Sequence, residues 1–196
     1  VITGFGRLGR WFGSDHFNLE PDLMTLAKGL TSGYLPLSAV MVGERVARTL
    51  QEKGSEFHHG FTYSGHPVAC AVGLANLKLI ETEGLIARVH DETGPYLQKR
   101  IRELADHPLV GEVRGIGFIG AIELVKDKKT RTHFEPLGKV GLQCRDHCFK
   151  NGLVMRSVRD AMVISPPLIF EKTHIDELVE KAHLCFDLTA KDLGAM

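Results

Sequence analysis

The run Leu23-Met24-Thr25-Leu26-Ala27 ends on Lys28 and gives way at once to a small, turn-forming stretch, Gly29 to Gly33. A short apolar run bounded by glycines reads as a strand followed by a tight turn. A lysine at the end of a buried strand is costly as a cation. It can shed its proton and become a nucleophilic amine, which is the group that holds an aldehyde cofactor as a Schiff base. The flanking Gly29 lets a flat ring come close to the backbone. The bland alternative is a solvated strand end, because buried unpaired lysines are rare.

Charge and composition exclude several other classes. Lys plus Arg equal Asp plus Glu at 24 each, so the formal net charge is zero, against a nucleic-acid or polybasic membrane role. No apolar run approaches the roughly 18 residues of a membrane span, and no signal or lipidation motif is visible. The expectation is a cytoplasmic protein. At 196 residues with 43% hydrophobic content, the chain can fill one large domain or two small ones. The four cysteines, Cys70, Cys144, Cys148 and Cys185, form no Cys-x-x-Cys pair and read as reduced core residues. Cys144, His147 and Cys148 lie one helical turn apart but lack a fourth ligand, so no metal site is expected.

Gly4-Phe5-Gly6-Arg7-Leu8-Gly9 satisfies the dinucleotide pattern G-x-G-x-x-G. That pattern needs a helix directly after it to receive the pyrophosphate. The following Trp11-Phe12-Gly13-Ser14-Asp15-His16 has no helical period, so a nicotinamide-binding oxidoreductase is rejected.

Along the chain, residues 1–33 read as short strands and turns, and the opening Val-Ile-Thr as a cut strand. Gly33 to Val42 fits a buried strand, with Pro36 at a turn or edge. Glu44 to Lys53 reads as a helix, Ser55 to Gly65 as a loop and the stretch from Pro67 as a buried helix. A break at Glu83-Gly84 divides 1–84 from 85–196. Past it come an amphipathic helix from Leu85 to Leu104 and a hairpin over Val110 to Val125. Then follow a helix from Val140 to Asn151 capped by Gly152, short strands at Leu153–Met155 and Met162–Ser165, and a last helix starting at Thr173 and running to about Ala190.

Two further residues carry chemistry. Thr62, beside glycines and just ahead of a helix, is either a cap or a phosphate contact. Arg156, after an apolar strand, is either a surface charge or a fork for a carboxylate, and Asp160 could partner Arg156 or Arg159. His58 and His59 read as loop residues, and Trp11, Phe12, Phe61 and Tyr63 as packing. Tyr34, Leu35 and Pro36 could line a substrate path.

The series Thr3-Gly4-Phe5-Gly6-Arg7, Gly9, Trp11-Phe12-Gly13, Pro21-Asp22 and Ala27-Lys28-Gly29 resembles the signature of the class III aminotransferases, and matches only their C-terminal half. The resemblance extends to Val113 through Leu124 and, for the ω-amino acid:pyruvate branch, to Met155-Arg156 through Ser165-Pro166-Pro167-Leu168. It implies an α/β protein of fold type I. Residues 1–84 would be the C-terminal part of a large, mainly parallel-sheet domain, and 85–196 a small α+β domain. It implies pyridoxal 5'-phosphate on Lys28, its phosphate bound by Thr62 of the neighbouring subunit in a homodimer, and Arg156 on the substrate carboxylate. The implied reaction moves an amino group from an ω-amino acid or amine to a keto acid, pyruvate being the acceptor that the branch implies. Alternatives are ornithine, acetylornithine or 4-aminobutyrate aminotransferases, an aminomutase, or an inactive fragment, since the residues meeting the pyridine nitrogen and most of the phosphate lie upstream. Arg159 departs from the glycine typical of its place.

Overall fold

The computed structural model describes residues 1–54 and 56–194. The chain divides into two compact units, Val1–Ala87 and Arg88–Met196. Ser55, at the start of the expected loop, lies outside the described residues.

The first unit opens with tight turns in which Phe5, Gly6 and Gly9 take positive φ. A short helix, α1 (Gly13–His16), follows. It falls within the stretch whose spacing shows no helical period, and at four residues it is a single turn, separated from Gly9 by Arg10, Trp11 and Phe12. Val1 and Ile2 are not in a strand. Strand β1 (Leu23–Leu26) pairs antiparallel with β2 (Ala39–Val42), Leu26 facing Ala39. No parallel pair occurs among the described residues. The strand expected over Gly33 to Val42 is therefore only its last four residues, and it is not buried, since Val40, Met41 and Val42 are all exposed. Helix α2 (Glu44–Lys53) is where its spacing placed it, and α3 (Pro67–Thr82) follows the loop. Only Ala69, Gly73 and Ile80 of α3 are buried. Its all-round apolar surface promised more, but Val68, Leu74 and Leu79 face outward. The core of this unit is thin: Phe5, Leu8, Leu26, Leu30, Ala69, Ile80 and Leu85.

The second unit has a fuller core. A helical stretch runs through α4 (Leu85–Arg88), a π turn at Val89–Thr93 and α5 (Gly94–Glu103). Gly84, just before it, has φ +62°. Four antiparallel strands form one sheet: β3 (Val110–Ile116), β4 (Ile119–Leu124), β5 (Arg156–Val158) and β6 (Ala161–Ile164), in the order β3-β4-β6-β5. Helices α6 (Lys139–Lys150) and α7 (Lys172–Asp192) complete it. Val89, Leu97, Ile101 and Leu104 join Phe118, Ile122, Met162, Ile175 and Phe186 in one cluster. Each such side chain stabilises the fold by about 1.5–3 kcal/mol relative to exposure.

The ends of these elements have local causes. Gly152 has φ +70°, and its N–H reaches Phe149 O at 3.3 Å while Leu153 N–H reaches Cys148 O at 2.9 Å. This is the double closure of a left-handed helix cap. Helix α7 begins one residue before Thr173. Its N-cap is Glu171, whose backbone N–H donates to His174 Nδ1 at 3.0 Å. Leu153–Met155 is not a strand. The pairing starts at Arg156, opposite Val163, and Met155 just before it is buried in the core. Cys144, Cys148 and Cys185 are fully buried free thiols. Hydrogen bonding with Cys144 and burial push the Cys148 thiol up, and burial pushes Cys185 up to about 12. They act as packing groups, not nucleophiles.

His107 is buried with its Nδ1 accepting Leu109 N–H at 3.1 Å. The proton is therefore on Nε2, which has no hydrogen-bond partner among the described residues, although Asp187 Oδ1 lies 3.3 Å away. His183 and Phe186 pack edge-on at 5.5 and 5.7 Å, and Lys128 donates to the His107 carbonyl. Burial lowers the His107 pKa below its ordinary 6.5, Asp187 opposing this in part. The folded state then binds the proton less readily than the unfolded chain. Stability is full above pH 6.5 and falls as the pH drops below it. We expect the unfolding midpoint to decline below that pH, and a His107→Gln variant to lose part of the decline in a pH series of thermal melts.

Candidate active site

Lys28 opens a single 3₁₀ turn, Lys28–Leu30, directly after β1 and Ala27. It is exposed, so the cost of burying a cation does not operate in this chain. No described element covers it. Its distinguishing feature is the backbone: φ is +46°, in the left-handed region that a side chain rarely adopts. The turn is held from outside. Asn76 of α3 donates from Nδ2 to the carbonyls of Gly29 (2.8 Å) and Leu30 (3.1 Å), and its Oδ1 accepts from Ser32 Oγ at 2.7 Å. Thr31, buried, donates to Leu35 O at 2.6 Å. Gly29 has a reason other than ring access: a Cβ there would stand 2.9 Å from the Phe5 side chain. Nothing in the apolar pattern pointed to Asn76. A lone asparagine inside an otherwise apolar helix is the signal that could have found it.

Thr62 lies in an exposed turn before α3. It is not the cap of that helix. His66 takes that place, its Nδ1 accepting Ala69 N–H at 3.4 Å. Ser64 Oγ accepts the Phe61 N–H at 2.9 Å, which ties the turn to itself. The Thr62 hydroxyl has no partner among the described residues. Phe61 and Tyr63, expected to pack, are 75% and 82% exposed, and Tyr34 is 81% exposed. Phe12 does pack, edge-on to Phe5 at 5.7 Å. His59 sits between the rings of Phe57 and Phe61, and His58 reaches Glu56 at 3.4 Å. Both are loop residues.

Arg156 belongs to the second unit, Lys28 and Thr62 to the first. It starts the edge strand β5, opposite Val163. With Ser165, Pro166, Pro167, His174 and Lys181 it lines a cavity of about 470 Å³. The guanidinium is exposed and has no hydrogen-bond or ion-pair partner among the described residues. Asp160 pairs with neither arginine. It is completely buried, and its carboxylate accepts the N–H groups of Gly138 and Gly141 at 2.8 Å each, at the start of α6. Burial turned it toward backbone donors, which need no second charge to be taken out of water.

Val158 pairs with Ala161, so Arg159 and Asp160 form a two-residue hairpin turn. Arg159 has φ +54° and Asp160 does not have positive φ. Arg159 occupies a hairpin-turn position whose positive φ favours glycine. The departure of Arg159 from glycine is thus a departure in backbone strain. Replacing Arg159 with glycine should raise stability by about 1 kcal/mol, read as a higher unfolding midpoint.

The geometry fits a Schiff-base cofactor as far as this chain goes. A primary amine without a partner stands exposed on a pinned turn, and the Thr62 hydroxyl is likewise free among the described residues. No group of described residues could hold a metal ion. No described helix is long and apolar enough to cross a membrane.

Comparison with known proteins defines the class. Over 100% of its length the chain superposes, with a TM-score of 0.91 and 40% identity, on the ω-transaminase of Pseudomonas jessenii solved in complex with PMP, covering 44% of that chain. The fold is α/β, the C-terminal part of a fold type I transaminase. Residues 1–186 match the family described as Aminotransferase class-III, and the chain belongs to that family. It is 57% identical over 190 residues to Putrescine--pyruvate aminotransferase of Pseudomonas aeruginosa, covering 97% of this chain and 41% of that protein. It is 46% identical to Diaminobutyrate--2-oxoglutarate transaminase of Halomonas elongata, covering 92% of this chain and 40% of that protein. The chain thus spans about two fifths of the length of these relatives.

Proposed function

We propose that this chain is the C-terminal part of a pyridoxal-phosphate-dependent transaminase that moves an amino group from an amine or ω-amino acid to pyruvate. The observation that carries the reading is Lys28, an exposed amine on a strained and pinned turn, within a family match that includes it. Residues 1–84 are the C-terminal part of the cofactor-binding domain and 85–196 the small domain. The active form is a cytoplasmic homodimer, in which Thr62 contacts the cofactor phosphate of the neighbouring subunit. The wide exposure of apolar residues in the first unit supports a covered surface there.

Pyridoxal phosphate, when bound, supplies an aldehyde for a Schiff base and an electron-withdrawing ring that stabilises negative charge on the amine-bearing carbon. Lys28 Nζ would hold the cofactor through its amine and, when free, would act as the base that takes the proton from the amine-bearing carbon and returns it to the cofactor side. Thr62 supplies one hydroxyl donor to the phosphate. Arg156 takes the carboxylate of the keto acid and can stay in water when the donor has none, so neither substrate leaves a buried charge unpaired.

The 57% identity to Putrescine--pyruvate aminotransferase supports pyruvate as acceptor and a diamine as donor. The 46% identity to Diaminobutyrate--2-oxoglutarate transaminase favours a second reading, with 2-oxoglutarate as acceptor. Parallel assays with the two acceptors decide between them. With the full-length protein, we expect the pyridoxal absorbance band to convert to the pyridoxamine band on adding a diamine and to return on adding pyruvate. Lys28→Ala should abolish both changes, and a band formed equally well without Lys28 overturns the assignment. Arg156→Ala should lower kcat/KM for pyruvate by at least about tenfold, worth about 1.4 kcal/mol, and leave a carboxylate-free aldehyde acceptor nearly unaffected.

A further inference from the structure

We propose that Asn76 is a positioning residue for the reactive lysine: its amide holds the Lys28–Leu30 turn in the form that keeps Lys28 at its left-handed φ, and so fixes where Nζ stands. This rests on the assignment of Lys28 above and adds a residue from a different element.

Beyond Asn76 the turn is held by the buried Thr31, bonded to Leu35 O, and by Gly29 against Phe5, and neither contact reaches the carbonyls just after Lys28. Lys28 at φ +46° and Ser32 at φ +51° are both in a region that favours glycine, two such residues within five. The unit's core is thin, and of this turn only Leu30 is in it. The turn's own hydrogen bonds, Leu30 N–H to Ala27 O at 3.1 Å and Thr31 N–H to Lys28 O at 3.3 Å, close the turn but are made by backbone atoms alone and do not select the handedness of Lys28. Asn76 meets both sides of the problem. Its two N–H donors take consecutive carbonyls just after the lysine, and its carbonyl oxygen takes the Ser32 hydroxyl at the far end of the strained stretch. These three bonds orient the amide uniquely, since a flipped amide would set oxygen against the Gly29 and Leu30 carbonyls. Gly73, one turn earlier, faces the same stretch. A Cβ there would stand 3.1 Å from Leu37 and 3.8 Å from Leu30 O.

A long side chain amplifies backbone error. Rotating the lysine out of its left-handed conformation redirects Cβ, and Nζ moves with it. Displacement of a reacting atom by about 1 Å can cost on the order of a hundredfold in rate. Asn76 thus acts through Lys28 and touches neither cofactor nor substrate.

The test uses the full-length, cofactor-loaded protein. Asn76→Leu keeps the γ-branched outline and removes the three bonds. Ser32→Gly removes one bond and relieves a left-handed residue, so it guards against a variant that fails to fold. In hydrogen exchange, the amides of Leu30 and Thr31 should exchange at least about tenfold faster in Asn76→Leu than in the parent. In rapid mixing with amine, the rate per bound cofactor should fall by roughly a hundredfold in Asn76→Leu, and less in Ser32→Gly, while the amine concentration for half-saturation is unchanged. The pH at which the lysine-linked absorbance band titrates should shift in both. If activity falls only in step with cofactor content and thermal stability, with surviving loaded molecules reacting at the parent rate, Asn76 is merely structural and the proposal is overturned. Unchanged exchange at Leu30 and Thr31 overturns it as well. Failure of Lys28→Ala to abolish cofactor attachment is a separate result, which removes the lysine assignment itself.

Discussion

The candidate lysine of the first unit stands on a backbone held where its own preferences would not leave it. Lys28 is left-handed, and three hydrogen bonds from one asparagine span the carbonyls behind it and the serine beyond. Hydrogen bonds of this kind contribute about 0.5–1.5 kcal/mol each, and a left-handed residue costs about 1–2 kcal/mol. The two effects are of the same size. The turn is therefore conditional on α3, and the smallness of Gly73 and the tightness of Gly29 against Phe5 belong to the same arrangement.

The second unit solves a similar problem with a charge. The β5–β6 turn carries Arg159 where glycine is at ease, on an edge strand three residues long. Asp160 compensates by burying its carboxylate against two backbone donors of α6. Gly141 must be glycine there, because a Cβ would stand 2.1 Å from Arg159 O. Register matters because Arg156 faces Val163 in this hairpin, and a slip of one residue would send its side chain to the other face of the sheet.

Much of the architecture was legible. Helix α2 and the hairpin of β3 and β4 follow directly from apolar spacing and glycine placement, and so does the Gly152 cap. The failures share a cause. Pattern reading assigns an apolar surface to the interior, so β2, most of α3, Phe61 and Tyr63 read as buried, whereas in this chain they are exposed. The start of α7 was misplaced for a local reason: Glu171 and His174 supply a cap that the usual Ser/Thr rule does not anticipate.

The sequence alone determined the candidate chemistry. Lysine, threonine and arginine at 28, 62 and 156 are identities, and a family signature at fixed spacing can be read from identities. Only the tertiary structure decided what holds them. Asn76 lies more than forty residues from the turn it pins, and Asp160 chooses helix N–H groups over its neighbouring arginines. Those choices are made by distance and burial. A buried carboxylate takes the donors whose desolvation costs least, and a polar side chain inside an apolar helix takes the carbonyls that packing brings to it.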